Sequence, residues 1–136
     1  IGSAPVICYE SIWGEYVADY IKQDAQFIAI ITNDGWWGNT SGKDQHLQYA
    51  KLRAIETRRW VARSANTGIS GFINQRGDIV KRSIWWESTA IKQDINLNTD
   101  LTFYVKHGDY IARAGSAGAG VFSVFLLISL FRRKKN

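Results

Sequence analysis

Pro5-Val6-Ile7-Cys8-Tyr9-Glu10 decides the reading of this chain. Its first residues are a short apolar run with the composition of a buried strand. Beyond it, Trp13, Tyr16, Val17, Tyr20 and Ile21 recur at helical spacing and predict a helix over residues 13–23 with these residues on one inward face. Cys8, the only cysteine, therefore stands where a strand gives way to a helix. A thiol there is held rigidly from below and faces a pocket above, as a nucleophile requires. The same residue also fits a second role, a small inert hydrophobe in a core.

Outward from this segment the pattern continues. Phe27–Thr32 is a continuous apolar run, expected to be a strand covered on both faces. Residues 33–42 form a glycine-punctuated loop. Ser41 and Asp44 have the spacing of a capping box at the start of a helix reaching about Trp60, with Leu47, Ala50, Ala54 and Ile55 on one side. Residues 61–65 and 69–74 read as strands joined by Asn66-Thr67-Gly68. Gln75-Arg76-Gly77-Asp78 turns into a third at 79–82, and residues 90–97 read as a fourth. Strand, helix, strand, helix and then several strands give an α/β layered fold. So many apolar strands need more cover than 136 residues supply. With no initiating Met, the chain reads as the C-terminal part of something longer.

The C-terminus is of another kind. Ala114–Phe131 carries no charge, and extension back to Tyr110 gives 22 residues interrupted only by Arg113. A membrane-spanning helix needs roughly 20. Glycines at 115, 118 and 120 suit close packing in lipid. Arg132-Arg133-Lys134-Lys135 follows at once and predicts a cytoplasmic C-terminus, with residues 1–110 on the other side. These four cations account for most of the net charge of +5. The rest of the chain is nearly neutral and carries no basic stripe, which argues against nucleic acid as a partner. One cysteine allows no internal disulfide, and no zinc-ligand spacing is present.

Around Cys8, a strand extended through residue 10 would place Glu10 on the thiol's face, to orient a neighbour. A lone carboxylate raises a thiol's pKa, so an efficient site needs a lysine or arginine near the sulfur, and the first thirty residues supply no obvious one, since Lys22 lies on a helix and reads as surface. The loop at 33–42 follows the next strand and is expected to share Cys8's pocket. Within it, Trp36 and Trp37 suit either a lipid-handling lip or ordinary core. Trp85-Trp86 is a second aromatic pair, suited to headgroup level. His46, in the first turn of the long helix, suits either a Cys-His pair or a structural hydrogen bond. The arginines at 58, 59 and 63 suit carboxylate or headgroup contacts.

In order along the chain, Val6-Ile7-Cys8-Tyr9-Glu10, Ile31-Thr32-Asn33-Asp34-Gly35-Trp36-Trp37-Gly38, Gln45-His46-Leu47-Gln48 leading to Arg53-Ala54-Ile55-Glu56, Arg63-Ser64-Ala65-Asn66-Thr67-Gly68-Ile69-Ser70, Gly77, and Thr102-Phe103-Tyr104 with Gly108-Asp109 together resemble the C-terminal part of the bacterial apolipoprotein N-acyltransferases. These are membrane members of the nitrilase (carbon-nitrogen hydrolase) superfamily. The resemblance spans nearly the whole chain. Lys43 replaces a frequent proline, Thr67 a frequent asparagine and Trp37 a phenylalanine.

The resemblance implies a partial nitrilase-like α-β-β-α sandwich at residues 1–109, a transmembrane helix at 110–131 and a cytoplasmic basic tail at 132–136. It implies a bacterial inner-membrane enzyme whose catalytic part is periplasmic. Cys8 is then the nucleophile of a Glu-Lys-Cys triad whose glutamate and lysine lie upstream, and Glu10 and Tyr9 support it. Trp36 and Trp37 become an acyl-chain entrance. The implied reaction moves a fatty acyl chain from a phospholipid to Cys8 as a thioester, then to the N-terminal α-amine of a lipidated apolipoprotein. No metal and no cofactor are implied. Two other readings are a membrane-anchored nitrilase-type amidase and a non-catalytic membrane-anchored domain.

Overall fold

In the computed structural model, which describes residues 1–133, one five-stranded sheet carries two helices on one face. Strand β1 (Ser3–Ile7), helix α1 (Gly14–Lys22), β2 (Phe27–Asn33), α2 (Ser41–Thr57) and β3 (Val61–Asn66) alternate. Then β4 (Gly71–Ile73) and β5 (Ile79–Arg82) close the sheet. The strand order is β1-β2-β3-β4-β5, with the first three parallel and the last two antiparallel. Two short turns of 3₁₀ helix, Cys8–Ile12 and Asp34–Trp37, follow β1 and β2 directly.

The period of two along each strand decides which side is buried. Ala4 and Val6, Ile28 and Ile30, Val61 and Ile73 face the helices and are fully enclosed. There they meet Val17, Ala18 and Ile21 of α1 and Leu47, Ala50 and Ala54 of α2. Burying each of the larger aliphatic side chains contributes about 1.5–3 kcal/mol. The opposite face is bare in part, with Ile31 64% exposed and Ile7 63%. Phe27–Thr32 is thus covered on one face, not two. The apolar run was read correctly as strand, but no second layer packs on it among the described residues.

Three further expectations differ from the structure. Residues 90–97 form no strand and leave the outer edge of β5 unpaired; Ala90 and Ile91 instead lie beside the bare face of the sheet, and Lys81 Nζ donates to the Lys92 carbonyl at 3.1 Å. Thr40, not Ser41, caps α2, its hydroxyl accepting from Gly42 N at 3.3 Å. Trp13 is the residue before α1 and is exposed, while Tyr16 hydrogen-bonds Tyr20 along the outer edge of the helix, so neither joins the inward face.

The remainder of the chain wraps back to α1. Helix α3 (Phe103–His107) packs Val105 into the core, and α4 runs over Tyr110–Arg133. Its segment Tyr110–Phe131 is long and apolar enough to cross a membrane, and no part of it is covered by protein. Glu15 of α1 ties down its start, accepting from Asp109 N at 2.9 Å and Arg113 Nη2 at 2.6 Å. Of the basic tail expected at 132–136, residues 134–136 lie outside the described residues.

Candidate active site

Parallel strands in register bring three chain reversals together. Ile7 pairs with Ile31 across β1 and β2, and Asn33 with Asn66 across β2 and β3. The residues after these strand ends, Cys8, Asp34 and Thr67, therefore lie along one carboxyl edge, where open α/β sheets place their sites. Cys8 has φ +51° and Thr67 φ +51°, the left-handed region that side chains rarely adopt. Such a residue costs of order 1–3 kcal/mol and persists only where its surroundings hold it.

What holds Cys8 is a buried polar cluster. Arg63 on β3 sends Nη2 to both oxygens of Asp34, at 3.0 and 2.8 Å, and Nη1 to the Ile69 carbonyl. His46 on α2 places Nδ1 2.9 Å from Asp34 Oδ1 and Nε2 3.2 Å from the Cys8 carbonyl. Ser11 donates to the same carbonyl at 2.8 Å. Asp34, His46, Arg63 and Ser11 are all buried. Burial alone raises the Asp34 pKa, but hydrogen bonds from His46 and Arg63 and the guanidinium's charge outweigh it. The carboxyl is held below its ordinary range. Gly68 leaves room for this carboxylate: a Cβ there would lie 2.6 Å from Asp34 Oδ2.

The expected site residues divide. Cys8 is partly buried at the turn, and among the described residues no side chain hydrogen-bonds its sulfur. Tyr9 follows, half exposed, its ring 5.8 Å from that of Trp37 and 5.7 Å from that of His46. Glu10 does not share Cys8's face along an extended strand, because the chain turns at Cys8. Its Oε2 instead accepts from Ile7 N at 2.7 Å and closes the turn. Trp37 packs over the first turn of α2, where a Cβ on Gly42 would lie 2.7 Å from its ring. Trp36 is 86% exposed. The pair thus splits into one packed ring and one projecting ring. A cavity of about 300 Å³ beside the end of β3, lined by Asn66, Thr67 and Trp86 among others, includes neither Cys8 nor these tryptophans.

His46 contacts the Cys8 backbone, not its thiol, so of its two expected roles the structural hydrogen bond is the one seen. The arginines separate as well. Arg63 pairs a carboxylate, whereas Arg59 donates to the carbonyls of Ala25, Thr57 and Asp100, and Arg58 to that of Gln75. Sequence reasoning did not foresee the Asp34–His46–Arg63 cluster. Its signal was the strand period: Asp34 continues the buried face of Thr32, and Arg63 that of Val61. Among the described residues, no three His, Cys, Asp and Glu side chains gather to hold a metal ion.

The sequence also has relatives. It is 38% identical over 121 residues to an apolipoprotein N-acyltransferase of Chlorobaculum tepidum, covering 89% of this chain and 23% of that protein. It is 36% identical over 136 residues to apolipoprotein N-acyltransferase 2 of Leptospira interrogans, covering 97% and 23%. The chain thus spans about a quarter of the length of the curated relatives it matches. Two solved structures share the fold. Nit3 of Saccharomyces cerevisiae, of the nitrilase superfamily, matches with a TM-score of 0.50 and 20% identity, over 63% of this chain and 34% of its own. An amidase from Nesterenkonia sp. AN1 with acrylamide added at its active-site cysteine matches with a TM-score of 0.52 and 17% identity, over 83% and 44%. The sheet and its two helices are thus part of a nitrilase-like sandwich, followed by a helix of membrane-spanning length. The carbon-nitrogen hydrolase family pattern matches residues 3–100, and with the strained cysteine at the end of β1 inside that match, the chain belongs to the carbon-nitrogen hydrolase family.

Proposed function

We propose that these residues are the C-terminal part of a membrane acyltransferase. A fatty acyl chain passes from a phospholipid through a thioester on Cys8 to the N-terminal α-amine of a lipidated apolipoprotein. One observation carries the reading. The turn that presents Cys8 leads straight into α1, and Glu15 of α1 holds the first residues of an uncovered apolar helix. A nucleophile so joined to a bilayer suits a lipid substrate.

In the first half-reaction the thiolate attacks the ester carbonyl, a C–S bond forms, the C–O bond breaks, and the lysophospholipid leaves as an alcohol that takes up a proton. In the second, the amine attacks the thioester, the C–S bond breaks, an amide forms and the thiol is restored. The base and the cation that stabilises the oxyanion are assigned to an upstream glutamate and lysine, as the resemblance implies. Tyr9 and Glu10 support the nucleophile, Glu10 by closing its turn.

The domains follow: 1–109 as the catalytic part, 110–131 as the span and 132–136 as a cytoplasmic tail. The catalytic part then lies on the periplasmic side of a bacterial inner membrane. A cytoplasm-dependent reporter fused after Asn136 should be active, and a periplasmic signal from that position would overturn this topology.

A membrane-anchored amidase would use water as the acceptor. The two readings separate when the acyl-enzyme is chased with buffer alone or with a lipidated peptide bearing a free α-amine. The acyltransferase reading expects rapid loss only with the peptide. Equal loss in buffer favours the amidase.

Trp36, exposed beside the turn, belongs to the acyl-chain entrance, with packed Trp37 as its support. Trp36→Ala should therefore impair use of phospholipid while Cys8 still reacts at the normal rate with a small soluble electrophile. Trp37→Ala should also lower the melting temperature. Loss of both reactions in Trp36→Ala would assign that ring to packing.

A further inference from the structure

The hydrogen on His46 Nε2 follows from its neighbours. Ser11 Oγ has one hydrogen, and it goes to the Cys8 carbonyl. Toward His46 Nε2, 3.1 Å away, this oxygen therefore offers a lone pair, and the Cys8 carbonyl at 3.2 Å offers another. Nε2 must carry a hydrogen to meet them. On the other side Nδ1 lies 2.9 Å from Asp34 Oδ1, an oxygen of a carboxylate kept ionised by Arg63. Arg63 Nη2 lies 3.3 Å from the same Nδ1, and the Tyr9 ring stacks on the face of the imidazole. On its own helix, Lys43 and Asp44 pair with each other near the surface.

The row Ser11–His46–Asp34 has the shape of a serine triad but not its use. Ser11 is buried, and its hydrogen is already given to Cys8. What the row controls is the peptide between Cys8 and Tyr9. That carbonyl takes both the Ser11 hydroxyl and His46 Nε2, and it belongs to the residue with φ +51°. Without the second donor, the strained turn loses the partner that offsets its cost.

We infer that His46 is a positioning residue for the nucleophile: anchored at Nδ1 by Asp34, it grips the Cys8 carbonyl through Nε2 and holds the thiol turned out of the strand. This deepens the proposed function and rests on Cys8 being its nucleophile. The test uses the full-length protein with His46→Gln and His46→Asn. The amide nitrogen of Gln reaches toward the place of Nε2, and that of Asn toward the place of Nδ1. The readout is the rate at which iodoacetamide alkylates Cys8, with melting temperatures alongside.

His46→Asn keeps the Asp34 contact and loses the Cys8 contact, so alkylation should slow about tenfold, as loss of one hydrogen bond at a strained turn would give. His46→Gln should recover at least about threefold over Asn, because it restores a donor to the carbonyl. Gln no faster than Asn, or wild-type rates in both, would overturn the role. Should neither variant fold, the ring nitrogens of His46 in the wild type provide the check by ¹⁵N NMR. A hydrogen on Nε2 is expected, and an Nε2 without one would refute the assignment. Because alkylation uses no lipid, a failure of acyl transfer with this order of rates intact would count against the proposed function alone.

Discussion

Replacing Cys8 by serine should abolish acyl transfer in the full-length protein while leaving its melting temperature within a few degrees of wild type. The two side chains are nearly the same size, and no side chain among the described residues hydrogen-bonds the sulfur, so the fold loses little. The chemistry loses nearly everything. An alcohol is almost un-ionised at neutral pH, whereas a thiol has an accessible anion. A fall of roughly 10³-fold or more in rate is expected, on the scale seen when covalent nucleophiles are removed. Transfer close to wild type in Cys8→Ser would remove Cys8 from the reaction.

The largest effect on stability belongs to Arg63. Its side chain and that of Asp34 are fully enclosed and paired at 2.8 Å. Arg63→Leu leaves the carboxylate buried with hydrogen bonds from His46 and Thr32 but without its guanidinium, and breaking such a pair costs about 3–5 kcal/mol. The melting temperature should fall sharply, and alkylation of Cys8 should change with it because the turn is built on this cluster. The pH dependence has a definite sign. The Asp34 pKa is lower in the folded chain than in the unfolded one. The pair therefore contributes its full stability above the ordinary carboxylate range, and that contribution is lost as the pH falls through the range toward the folded value. Arg63→Leu should show less of this acid loss. An unchanged melting temperature in Arg63→Leu would show that the ion pair does not hold the site.

How far the sequence reached is clearest at these residues. The strand ending at Ile7 and the helix beyond it were legible, because apolar runs and helical spacing are local signals. The left-handed conformation at Cys8 was not, since a non-glycine residue enters that region only under tertiary constraint. The constraint comes from His46 and, behind it, Asp34 and Arg63, groups that meet only after β1, β2 and β3 align. Glu10 was placed wrongly for the same reason: its geometry was read from a strand that turns two residues earlier. Residues 90–97 show the reverse error, where strand-like composition lies beside the sheet's bare face and leaves the free edge of β5 unpaired. The C-terminal helix was fully legible, because length and absence of charge decide it.

The most direct test is the covalent intermediate itself. The full-length protein is mixed with a phospholipid of defined acyl chain, quenched, and weighed intact and after proteolysis. The account predicts a mass gain of one acyl group on the peptide bearing Cys8, released by neutral hydroxylamine as a thioester is, and absent from Cys8→Ser. An active protein that shows no adduct under any quench, or carries it on a residue other than Cys8, would contradict it.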